Sequence, residues 1–127
     1  MATTSEHVRR AEALGNKVNG APEHISEVLP ELLAMLDEDQ PEILVAVIEA
    51  LGHAWTESAC LAVVPFADYP DQSVRLAAVR SMVGGIESKE GSITVAAALM
   101  PRLSDEDSEV RDWATFGVGS MRPCLSS

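Results

Sequence analysis

"EILVAVIEALG", residues 42–52, places Ile43, Ala46, Val47 and Ala50 at the i, i+3, i+4 and i+7 positions. That spacing lines one face of an α-helix with apolar side chains. The same frame returns in "SVRLAAVRSMV" from Ser73 and in "EVRDWATFGVG" from Glu109. Ile43, Val74 and Val110 begin the three copies at intervals of 31 and 36 residues. Ala50, Ser81 and Gly117 share a later position, and side chains that small let neighbouring helices touch. A helix recurring every thirty-odd residues is a unit that buries its apolar face against the next copy of itself.

A polar turn precedes each copy: "DEDQP", "DYPDQ" and "DEDS". Their side-chain oxygens are expected to accept from the unpaired N–H groups of the helix start, where negative charge also meets the positive end of the dipole. Gly52 and Gly119, with Gly84 and Gly85 one step late in the middle copy, are expected to stop their helices in the left-handed conformation. Ahead of each turn lies a second apolar helix, ending "LLAML", "VVPFA" and "LMPRL". The pattern predicts about seven helices, near 5–17, 23–37, 41–53, 56–67, 72–84, 91–103 and 108–120. The expected architecture is all-α: a right-handed α-solenoid of antiparallel helix pairs. Its units fall near 5–37, 41–67 and 72–103, with a half unit at 108–120. They form one domain over 1–121, followed by a tail at 122–127.

Composition agrees and excludes some functions. The chain of 127 residues is 46% hydrophobic but only 4% aromatic, so its core is built from Ala, Leu, Val and Ile. A net charge of −11 repels nucleic acid and anionic lipid and favours a basic partner. The start lacks the apolar core of a signal peptide, and no segment has the length of a membrane span. Cys60 and Cys124 are far apart and match no disulfide or zinc spacing, so a cytoplasmic location is expected.

The segments "LPELLAMLDEDQPEILVAVIEALG" and "LMPRLSDEDSEVRDWATFGVG" resemble HEAT repeats, and among them the short bacterial phycobilisome-lyase HEAT-like kind. The resemblance covers about residues 23–120. It departs from the pattern where Leu44 stands in place of the usual Arg and where the last unit lacks a second helix. It implies a solenoid whose second helices line the concave side. The family includes scaffolds, adaptors, chromophore lyases and DNA-repair enzymes, so the fold leaves function open.

No catalytic, cofactor or metal constellation emerges. His7, His24 and His53 fall in no ligand spacing, and no nucleophile elbow or phosphate loop occurs. A calcium loop counted from Asp105 would need Gly and Glu where Val110 and Phe116 stand. Cys60, in "ESACLAVV", is expected to be a buried, inert thiol. Arg75 and Arg111 are expected to pair with Asp71, Asp105 or Asp107 of the adjoining turns.

What remains is surface. Extending the helical frame along the second helices places Glu27, Glu31, Glu38, Tyr69, Thr94 and Asp105 on a solvent-facing stripe. This is the candidate groove for a protein or peptide, acidic at one end. Trp113 and Phe116, on the last helix, form a candidate C-terminal association end, through which the chain would dimerise or dock a partner. The expected function is a non-catalytic protein-binding or scaffolding module, without nucleic acid, membrane or cofactor. The alternative is an enzyme accessory, a lyase-like chaperone for a small molecule or chromophore.

Overall fold

The computed structural model describes residues 4–18, 22–38, 40–53, 57–82 and 89–125. Within them lie seven α-helices and no strand. These are α1 (Thr4–Val18), α2 (Ile25–Met35), α3 (Pro41–His53), α4 (Glu57–Val63), α5 (Gln72–Met82), α6 (Lys89–Leu99) and α7 (Ser108–Leu125). The last helix runs past residue 120, where the sequence pattern predicted its end, and into the expected tail. The fold is an all-α solenoid of two layers. In the first layer α1 packs on α3, α3 on α5 and α5 on α7, while α2, α4 and α6 form the second. In the core, Leu32, Ile43, Leu44, Ile48, Leu51, Met82 and Leu99 are fully buried.

Two second-layer helices change pitch at a proline. After Val63 the chain tightens into a 3₁₀ segment, Val64–Asp68, with Pro65 in its first turn. After Leu99 it does the same over Met100–Ser104, with Pro101. Proline has no N–H to donate to the i−4 carbonyl, so the α-helical ladder cannot continue unbroken. The next residue in each case, Tyr69 and Asp105, is extended, at φ −61°, ψ 146° and φ −61°, ψ 149°.

The turns cap as expected where they are described. Asp71 Oδ1 accepts from the N–H groups of Ser73 (2.9 Å) and Val74 (3.3 Å), and Asp107 Oδ2 from that of Val110 (3.3 Å). Asp39, in the first turn, lies outside the described residues. The glycines work otherwise than predicted. Gly52 lies inside α3 and Gly119 inside α7, and neither has a positive φ. Gly52 is needed for close approach, because a Cβ there would come 2.8 Å from Ser81 Oγ of α5. One unit earlier, a Cβ on Gly15 of α1 would come 2.9 Å from Ala50 Cβ of α3. Ser81 fills its seam without an unsatisfied hydroxyl: Oγ donates to the Ile48 carbonyl (3.1 Å). Gly119 has open space around it, and Gly84 and Gly85 lie outside the described residues. Cys60 is buried and donates weakly to the Ser81 carbonyl, at 3.4 Å.

One buried ion pair ties the later units together. Arg75 Nε and Nη2 donate to Asp105 Oδ2 (3.0 Å) and Oδ1 (3.3 Å), a two-pronged contact with the Asp105 side chain only 1% exposed. Arg75 Nη1 donates to the Tyr69 and Pro70 carbonyls, and Arg102 adds a second cation on Asp105 at 2.7 Å. The expectation that Arg75 is structural therefore holds, with Asp105 of the following turn as its partner. Asp105 itself corrects the predicted stripe: it points inward. Extending a 3.6-residue period through Pro101 misplaces it, because the segment winds at 3₁₀ pitch and then extends. In the preceding unit Leu44 and Tyr69 occupy the positions equivalent to Arg75 and Asp105. An apolar pair thus stands where the later unit has an ionic one, an exchange that buried sites tolerate well.

Burial, the largest single influence on the Asp105 carboxyl, pushes its pKa up. The Asp107 amide, then Arg75 and Arg102, outweigh it and hold the group below its ordinary value. A carboxyl depressed in the folded state adds stability above its unfolded pKa and loses that contribution as pH falls through the folded one. Denaturant unfolding is therefore expected to show stability declining below about pH 4, with a shallower decline in Asp105→Ala. At neutral pH Asp105→Ala is expected to cost about 3 kcal/mol, since it leaves Arg75 without its buried counter-charge. The double exchange Arg75→Leu, Asp105→Tyr, copied from the preceding unit, should cost less than that single change. Equal losses would show that the ionic rung is not the coupling element. At the first seam, Ala50→Leu is expected to cost about 1–3 kcal/mol by overpacking against Gly15; an unchanged denaturation midpoint would contradict the close approach.

Candidate functional site

In the predicted acidic stripe on α2 and the turn after it, Glu27 is exposed, Glu31 and Glu38 are half-buried, and all three already have basic neighbours. Arg10 of α1 grips Glu31 with two N–H groups, at 2.6 and 2.7 Å. Lys17 lies 3.4 Å from Glu27, with His24 Nδ1 at 3.4 Å from the same oxygen, and His7 lies 3.7 Å from Glu38. Hydrogen bonding from Arg10 holds the Glu31 carboxyl below the usual range, and Lys17, followed by His24, does the same for Glu27. The sequence carries the signal for this arrangement. His7, Arg10 and Lys17 ascend one helix while Glu38, Glu31 and Glu27 descend through the next, the order an antiparallel pair brings together.

The remaining stripe residues do not extend this surface. Tyr69 is half-buried, its ring tilted against Phe66 at 5.8 Å between centroids. Thr94 is exposed and its hydroxyl donates to the Glu90 carbonyl of its own helix (3.0 Å). With Asp105 buried, the exposed or half-exposed carboxylates of the six positions are those at the α2 end.

A concave feature lies instead on the outer face of the first layer. A cleft of about 280 Å³ opens between α1 and α3. Glu12 and Asn16 line it from α1, and Glu42, Val45, Glu49 and His53 from α3. Its floor is the Gly15–Ala50 contact, so the same close approach that joins the helices sets its depth. Glu12, Glu42 and Glu49 are exposed and have no cation partner among the described residues. Sequence reasoning missed them because it looked for acidic residues on the second helices.

The same register places the aromatic pair. Trp113 corresponds to Ala46 and Phe116 to Glu49, both residues of the cleft. Trp113 and Phe116 therefore belong to the outer face of the first layer, at its α5–α7 end. They are 36% and 58% exposed, and their rings meet edge to face, with centroids 5.9 Å apart and planes at 84°. The Arg80 guanidinium of α5 lies over the Trp113 ring at 5.6 Å. In the preceding helix and its 3₁₀ extension, Val95 and Leu99 are fully buried, and Leu103 is partly so. The stacking face of α7 is different again. Ile48 and Val79, fully buried in their helices, correspond there to exposed Thr115, whose hydroxyl donates to the Arg111 carbonyl (2.9 Å). The surface that a further unit would cover is polar at this point.

Among the described residues no cluster of His, Cys, Asp and Glu has the arrangement of a metal site, and no helix is long and apolar enough to cross a membrane. No curated protein and no solved structure matches this chain. A profile of HEAT repeats matches residues 29–119, from the middle of α2 into the last helix. That span takes in most of both layers and the turns between them, and the chain belongs to the HEAT-repeat family.

Proposed function

We infer that the chain is a non-catalytic protein-binding or scaffolding module and that its partner is basic. The observation that carries this reading is the cleft between α1 and α3, where three exposed glutamates lack cation partners among the described residues, in a chain of net charge −11. HEAT repeats commonly mediate protein interaction, and the geometry supports the same use. Stacked helices bury their apolar faces against each other and leave a rigid, periodic surface whose charge selects the partner. The lyase-like accessory role, which the narrower likeness to phycobilisome-lyase repeats raises, remains the alternative.

Cross-linked purification of the full chain from its native host, analysed by intact mass spectrometry, tests the two readings against each other. The expected result is a stoichiometric basic protein whose recovery falls steeply between low salt and 1 M salt, where screening shortens to about 3 Å. A bound small molecule with no protein partner would favour the accessory role. Recovery of an acidic protein, insensitive to salt, would contradict the electrostatic part of the reading.

A further inference from the structure

We propose that the outer face of the first layer, from Glu12 to Phe116, docks a cationic peptide segment that carries an apolar anchor. The proposal rests on the protein-binding reading above and assigns it a surface and a class of partner. Equivalent positions on the four first-layer helices run Glu12, Glu49, Arg80, Phe116. At one end this face is the acidic cleft; at the other it is the exposed aromatic pair. Between them Ala46 and Ala77, nearly buried, leave a low floor that a peptide backbone can approach. Arg80 forms no ion pair with these carboxylates, and its guanidinium lies over the Trp113 ring. First-layer helices about 8–10 Å apart put the aromatic pair roughly 25 Å from the cleft. An extended chain covers that distance in about eight residues.

Charge decides the occupant. A second copy of this chain brings nine Lys and Arg against 20 Asp and Glu. Four of its cations, Arg10, Lys17, Arg75 and Arg102, are already engaged in ion pairs. Two such chains repel, and nucleic acid or anionic lipid is repelled more strongly. A distinct segment with Lys or Arg at one end and a large apolar side chain at the other matches both ends of the face.

Fluorescence anisotropy with dye-labelled peptides tests the proposal on the full chain. The probe is about ten residues long, with arginines at one end and a Trp-Leu pair at the other; in the control peptide glutamates replace the arginines. The probe is expected to bind more weakly as salt rises, and the control not at all. Glu12→Gln with Glu49→Gln should weaken binding roughly tenfold and flatten the salt dependence. Phe116→Ser should weaken it roughly tenfold and leave the salt dependence unchanged. Glu27→Gln with Glu31→Gln should change neither. All these side chains are exposed or half-exposed, and unchanged thermal unfolding verifies that each variant folds. No binding at low salt, or equal binding by the outer-face variants, overturns the proposal. Loss confined to the Glu27 and Glu31 variant moves the site to α2; it overturns this assignment and leaves the protein-binding reading intact. A wild-type dimer in sedimentation that Phe116→Ser dissociates identifies a second copy as the occupant, and that also overturns it.

Discussion

The close approach of the first-layer helices is the constraint on which the rest of this structure depends. Gly15 against Ala50 and Gly52 against Ser81 leave no room for a larger side chain at either seam. Helices that approach so closely stack as a layer, and that layer supplies one wall of the buried core. The Gly15–Ala50 contact also forms the floor of the outer cleft. A larger residue at the seam would raise that floor as well as strain the stack. Fold and candidate surface are therefore set by the same small residues.

Electrostatics divides the surface unevenly. α1 spends Arg10 and Lys17 on α2, with His7 reaching the turn beyond it, and this neutralises much of the acidic stripe there. Arg75 and Arg102 are committed to Asp105 inside the molecule. Internal pairing thus consumes cations from a chain that has few, and the carboxylates of the α1–α3 cleft are among those left without an ion pair within the described residues. The exposed ion pairs on α2 add little to stability, since screening and side-chain entropy offset their attraction. Their larger effect is on where unneutralised charge remains.

Much of this was legible in the sequence, and for identifiable reasons. The apolar period located α3, α5 and the start of α7, because a helix half-buried in a stack must repeat its apolar positions every 3.6 residues. Asp71 and Asp107 were readable as caps from chemistry alone. The small residues Ala50 and Ser81 marked the seam, although the glycines beside them were assigned to helix termination rather than close contact. The second layer was harder to read. Pro65 and Pro101 change the helical pitch, and the extended residue after each 3₁₀ segment reverses the direction a continuous helix would give. Asp105 was placed on the solvent side for that reason, whereas it is buried. Which carboxylates remain unpaired depends on contacts between helices, and a periodicity within one helix does not report it.

Carbodiimide footprinting of the carboxylates, read by peptide mass spectrometry, tests the central claim most directly: that the cleft between α1 and α3 holds available negative charge while the α2 stripe does not. On the chain alone, Glu12, Glu42 and Glu49 should label faster than Glu27 and Glu31, whose oxygens are held by Lys17, His24 and Arg10. A bound basic peptide should then protect the first group and leave the second unchanged. Uniform labelling of the free chain, or protection confined to Glu27 and Glu31, would contradict it.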